Sequence, residues 1–199
     1  MSRALSEGVT YFRTTPVAYT IIGIGFAFGL FAGAYLQVLP AFAREVLETG
    51  AGGVGLLMAA AGLGSLVGNI ILATLGNFPH RNWLVIGTAV TFGLSMFALA
   101  WSPWFWTSFA ILILVGMASM SYVALGTTML TLAVPAELRG RVLSLWSIGA
   151  ALNYIGALHM AVVADAWSWP ISFTLGGALF LSAVLWLAVW RPTLRHLRA

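Results

Sequence analysis

Six long apolar runs constrain this chain more than any other feature. They fall at about 18–40, 52–75, 83–101, 106–134, 142–165 and 171–190, and each is long enough to cross a bilayer as a helix. In lipid, backbone N–H and C=O groups must be satisfied within a helix or around a closed barrel. The runs show no period-two alternation, which excludes the barrel. The expected fold class is therefore an all-α membrane protein, a bundle of six transmembrane helices.

Composition supports this. Of 199 residues, 61% are hydrophobic and 7% charged, too little charge to cover a soluble domain. The chain has no Cys, which rules out disulfides and thiolate metal sites. No cofactor or metal is expected. The first eight residues are polar and lack an apolar core followed by a cleavage site, so no signal peptide is expected. The organisation expected is a cytoplasmic amphipathic segment over 1–17, the six-helix domain over 18–190 and a cytoplasmic tail over 191–199. Pro40, Pro79, Pro103, Pro135, Pro170 and Pro192 are placed at span ends, where a missing N–H does least harm.

Arginine sets the orientation. Six spans leave both termini on one side. Arg3, Arg13, Arg81, Arg139, Arg141, Arg191, Arg195 and Arg198 then share that side, with Arg44 alone on the other. The positive-inside rule makes the Arg-rich side cytoplasmic, in the inner (plasma) membrane. The formal charge of +4 thus reflects topology. Scattered over the loops it forms no basic face, and no nucleic-acid partner is expected. Trp83, Trp101, Trp104, Trp106, Trp167, Trp169 and Trp190 mark the interfaces.

Within the spans, Gly25, Gly29 and Gly33 form a stripe in the first, and Ala60, Gly64 and Gly68 another in the second. Spacing by four keeps such residues on one helix face, and small residues let backbones approach. Helix packing is the reading given to Gly25, Gly29, Gly33, Gly64 and Gly68. No Asp, Glu, Lys or Arg lies well inside a span, where one would cost about 2.5–3.5 kcal/mol.

The larger polar side chains inside spans are Tyr35, Gln37, Asn69, Tyr122, Asn153, Tyr154 and His159. They fall on four spans, and the third and sixth carry none. A bundle with four helices around a polar cavity and two outside it fits that division. Tyr35, Gln37, Tyr122, Asn153, Tyr154 and His159 are the substrate-cavity candidates, each weighed against an interhelical hydrogen bond worth about 0.6–2 kcal/mol. On a regular helix Gln37 falls on the glycine stripe and Tyr35 opposite it. Gly149, Asn153 and Gly156 share a face, His159 sits at its edge, and Tyr154 points elsewhere. Ser121, Thr128 and Thr131 line one face of the fourth span, where short hydroxyls bond back to the backbone. Paired carboxylates, an activated nucleophile and a metal cluster are all missing from the spans, so no enzyme is expected.

Three stretches carry more information. Leu39-Pro40-Ala41-Phe42-Ala43-Arg44-Glu45-Val46-Leu47 leaves the first span. Gly53-Val54-Gly55-Leu56-Leu57-Met58-Ala59-Ala60-Ala61-Gly62-Leu63-Gly64-Ser65 opens the second. Val134-Pro135-Ala136-Glu137-Leu138-Arg139-Gly140-Arg141-Val142-Leu143-Ser144-Leu145 joins the fourth to the fifth. Together they resemble the C-terminal six helices of the major facilitator superfamily, nearest to its enterobactin-exporter-like or transmembrane secretion effector group. The segment over 7–13 is similar to the cytoplasmic link between the two halves of such proteins.

The resemblance implies half of a twelve-helix secondary transporter working by alternating access. It implies efflux of a small drug-like or siderophore-like molecule and proton coupling. Glu137, Arg139, Gly140 and Arg141 would form a cytoplasmic gating loop. The loop over 76–82 lacks the acid common in the family. The partners implied are the lipid bilayer, a small-molecule substrate, and either an N-terminal six-helix half or a second copy of the chain. The competing reading is a non-transporting fragment or helper that packs against another membrane protein.

Overall fold

The computed structural model describes residues 16–76 and 81–190. The expected segment 1–15, the loop 77–80 and the tail 191–199 lie outside the described residues. The first span is two helices, α1 (Pro16–Ala27) and α2 (Tyr35–Glu45), joined through a π-helical turn at Phe28–Ala32. Five more helices follow: α3 (Ala51–Leu75), α4 (Arg81–Ala100), α5 (Phe105–Ala133), α6 (Ala136–Ala166) and α7 (Trp169–Trp190). All six spans are long and apolar enough to cross a membrane, and the chain is a multi-pass membrane protein. Two boundaries and one side chain differ from the sequence reading. The first span runs on to Glu45, so Pro40 lies inside α2, not at a span end. The fifth begins at Ala136, not near 142. Trp169 is buried at 8% exposure and is no free interfacial ring.

Glycine determines how the helices meet. A β-carbon at Gly64 would overlap the Ile113 carbonyl, and one at Gly116 would overlap that of Ala61. One at Gly68 would stand 2.7 Å from the Met117 carbonyl oxygen. These contacts press α3 against α5 backbone to backbone, as small residues permit. Ser65 adds a hydroxyl bond to the Gly116 carbonyl at 3.3 Å, besides one to its own helix at Ala61, 2.8 Å. The first span meets α6 in the same way. A β-carbon at Gly29 would overlap the Gly149 carbonyl, and one at Gly156 would lie 2.6 Å from the Gly29 carbonyl oxygen. Gly29, Gly64 and Gly68 thus lie at backbone contacts, as does Gly176 against the Phe31 carbonyl, while Gly25 and Gly33 face the side chains of Trp146 and Asn153.

Helices α4 and α7 pack against each other, and α7 also packs against the first span. Gly93 receives Leu181, and Gly177 lies against Gly93 and Met96. Aromatic rings fill the centre. Phe28 stands 5.1 Å from Phe92, 5.2 Å from Tyr122 and 5.6 Å from Phe180 between ring centroids. One side chain at the start of the π turn so ties together four spans. Tilted and edge-on rings at this separation gain beyond their area burial.

Candidate functional site

The irregular turn in the first span builds the site. Gly33 N–H donates to the Phe28 carbonyl at 2.6 Å, an i→i+5 bond that accommodates one extra residue in the turn. One residue is about 100° of rotation. Everything after the turn is therefore rotated relative to the register of a regular helix. The sequence reading put Gln37 on the glycine stripe and Tyr35 opposite. Instead both reach one cavity, with Tyr35 buried and Gln37 exposed.

This cavity holds about 230 Å³. The first span contributes Gly25, Phe28, Gly33, Tyr35 and Gln37; α5 contributes Ser119, Met120 and Tyr122; α6 contributes Trp146, Gly149, Ala150 and Asn153. Gln37, Met120 and Ala150 line it and are exposed, so it opens at the surface of the bundle. Three spans line it rather than four. Helices α4 and α7 stay outside, while α3 does not reach it and carries Asn69 exposed on its outer face. No Asp, Glu, Lys, Arg or His is among the lining residues.

Tyr35 Oη lies 3.4 Å from Ser119 Oγ, which itself donates to the Gly116 carbonyl at 3.0 Å. Tyr122 is 1% exposed. Its hydroxyl and Asn153 Oδ1 are buried without a hydrogen-bond partner among the described residues. Trp146 fits into a notch between two glycines. A β-carbon at Gly126 would stand 2.8 Å from Trp146 Cη2, and Gly25 faces the same ring. Sequence reasoning missed Phe28, Ser119 and Trp146, because an aromatic or a serine in an apolar span is ordinary. Thr128 and Thr131 bond back to Ala124 and Thr127, each at 2.8 Å.

Tyr154 and His159 lie elsewhere. Tyr154 is 73% exposed. His159 is exposed too, its ring nearly perpendicular to that of Phe31 with 6.5 Å between centroids. Among the described residues no group of three His, Cys, Asp or Glu stands ready for a metal.

The sequence profile of the transmembrane secretion effectors matches residues 1–198. The chain belongs to the transmembrane secretion effector family, within the major facilitator superfamily. It is also similar to a D-xylose transporter of Levilactobacillus brevis, 28% identical over 92% of this chain and 40% of the relative. A Na(+), Li(+), K(+)/H(+) antiporter of Planococcus maritimus is 28% identical over 66% of this chain and 30% of its own. Protein spinster homolog 1 of Bos taurus is 26% identical over 78% and 30%. The chain spans two-fifths or less of the length of these relatives.

In this secretion effector chain the 135–141 segment, read as a loop, is the helical start of α6. Pro135 occupies the N-cap and Glu137 the first turn, where its charge meets the positive end of the helix dipole. Glu137, Arg139 and Gly140 are exposed, and Arg141 is half-buried. Ser144 donates back to the Arg141 carbonyl at 2.7 Å. At the other end of the bundle, Trp169 Nε1 donates to Glu45 Oε2 at 2.7 Å.

Proposed function

We propose that this chain is one six-helix half of a secondary transporter that moves a small molecule by alternating access, with the cavity between the first span, α5 and α6 as its share of the substrate path. The observation that carries this reading is where the cavity opens. It reaches the surface beside α6, the span with the smallest buried share, and α3 is the next least buried. A bundle complete in itself has no need to open there a largely apolar cavity that holds the polar groups of Tyr35, Gln37, Ser119, Tyr122 and Asn153.

The exposed face of α3 supports the need for a second bundle. Gly55, Ala59 and Gly62 are exposed along it, and a β-carbon at Gly55 or Gly62 would meet nothing within 4 Å. Small residues of this kind let a further helix approach. The partner is an N-terminal six-helix half or a second copy of the chain. Tyr35, Gln37, Tyr122 and Asn153 are the cavity residues assigned to substrate. Glu137, Arg139, Gly140 and Arg141 are assigned to contacts that hold one conformation. Both termini sit on the cytoplasmic side of the plasma membrane, by the arginine asymmetry. Efflux of a drug-like or siderophore-like compound, coupled to protons, is the direction implied by the family.

Transport into or out of proteoliposomes tests this, with ethidium and D-xylose as probes and the assembly state measured in parallel. Flux that tracks a twelve-helix assembly supports the reading. A chain that binds another membrane protein while every such assembly is inert favours the helper reading.

A further inference from the structure

Tyr122 Oη and Asn153 Oδ1 are the buried side-chain polar atoms without a hydrogen-bond partner among the described residues, and both residues line the same cavity. Burying a polar atom unpaired is costly, and native structures keep few. Two such atoms lie at one cavity, in a bundle where buried hydroxyls such as Ser95 and Ser172 reach the carbonyls of Thr91 and Met160; they are the groups a ligand entering there would satisfy.

Their chemistry narrows the ligand. A phenol hydroxyl donates one hydrogen bond and accepts others, and an amide oxygen only accepts. A carboxylate set here would accept from Tyr122, but no cation among the lining residues would balance it. An ammonium would find no carboxylate. An ion in this half would stay uncompensated in a low-dielectric setting. A hydroxyl both donates and accepts, so it satisfies either atom, and it does so whichever way the Asn153 amide is turned. The walls beside these atoms are the rings of Phe28, Tyr35 and Trp146, against which the flat apolar face of a ring stacks.

We propose that this cavity takes a neutral, ring-bearing polyol, with its hydroxyls on Tyr122 Oη and Asn153 Oδ1 and its apolar face on the aromatic wall. The proposal rests on the cavity being the substrate site of the transporter. It goes beyond that reading by excluding ionic groups from the part of the ligand held by this half.

Calorimetric titration of the full chain in nanodiscs tests it, with phenyl β-D-glucoside and phenyl β-D-glucuronide as probes. The two differ in a hydroxymethyl against a carboxylate. The glucoside is expected to bind saturably, and the glucuronide about tenfold or more weakly, as befits an unpaired charge. Tyr122→Phe and Asn153→Leu are each expected to weaken glucoside binding about fivefold or more, the scale of one lost hydrogen bond. Tyr122→Phe should leave the unliganded chain as heat-stable as before or more so, since it removes an unpaired hydroxyl. Equal or tighter glucuronide binding overturns neutrality and leaves the cavity as the site. Failure of both probes, or a Tyr122→Phe chain that is destabilised with unchanged binding, overturns the polyol assignment. The substrate-site reading falls separately, if a cysteine at Ala150 proves closed to water.

Discussion

Gly29 rests against the carbonyl of Gly149 so closely that a methyl group at position 29 would overlap that oxygen. The obstacle is backbone, which cannot swing aside like a side chain. Gly29→Val is therefore expected to destabilise the bundle by about 1–3 kcal/mol or more, the range for overpacking. Thermal unfolding in detergent checks this, and the unfolding midpoint should fall.

Gly62 is the matching control. Its β-carbon would meet nothing within 4 Å, so Gly62→Ala should leave the isolated chain unchanged or raise its stability by up to about 1 kcal/mol through helix propensity. Gly62→Leu should spare the folded chain and weaken assembly with a second six-helix bundle. Thermal unfolding reads the first and native mass spectrometry the second. Loss of folding without a partner would show that the exposed face of α3 is not the partner face.

Trp169 donates its indole N–H to Glu45 Oε2 at 2.7 Å and packs on Phe173, which in turn meets Phe42 at 5.1 Å. The contact clasps the end of α2 to the start of α7. Trp169→Phe keeps a ring and removes the donor. About 1 kcal/mol of stability should be lost, the lower part of the range because Glu45 is exposed. Glu45→Gln retains an oxygen acceptor and should cost less. Equal losses from the two variants in thermal unfolding would mean that ring packing, not the hydrogen bond, holds the clasp.

The chain has no Cys, so single cysteines report topology without background. Gly140 and Gly50 are exposed with open space around them. In right-side-out vesicles an impermeant maleimide should label Gly50→Cys and spare Gly140→Cys until the membrane is opened. The reverse pattern would invert the proposed orientation.

The six spans were legible because crossing a bilayer demands some twenty apolar residues in a row, a signal no loop imitates. The close approaches at Gly29, Gly64 and Gly68 have a mark in the sequence, since backbone against backbone excludes every larger residue, whereas the side chains that Gly25 and Gly33 face do not. The relation of Tyr35 to Gln37 was not. A π turn at Phe28–Ala32 leaves no mark in composition, yet its extra residue turns all that follows. Pro40 inside α2 misled for a related reason. A proline forbids one hydrogen bond, and the helix runs on past it. The start of α6 was readable in principle: a proline followed by an acid is a helix-entry pattern. The role of Phe28 as a hub of rings depends on four spans meeting, which a linear pattern does not encode.

The proposed transporter needs the face between the first span, α5 and α6 to be a water-accessible cavity, and the outer faces of α4 and α7 to meet lipid. Ala150 lines that cavity and is exposed; Leu94 is 58% exposed on α4, outside it. The most direct measurement is the labelling rate of Ala150→Cys and Leu94→Cys by a water-soluble maleimide in lipid vesicles. Maleimide needs a thiolate, which forms in water and not among acyl chains. Ala150→Cys is expected to react at least about tenfold faster. Equal rates, or a faster Leu94→Cys, would contradict the assignment of this face to a substrate.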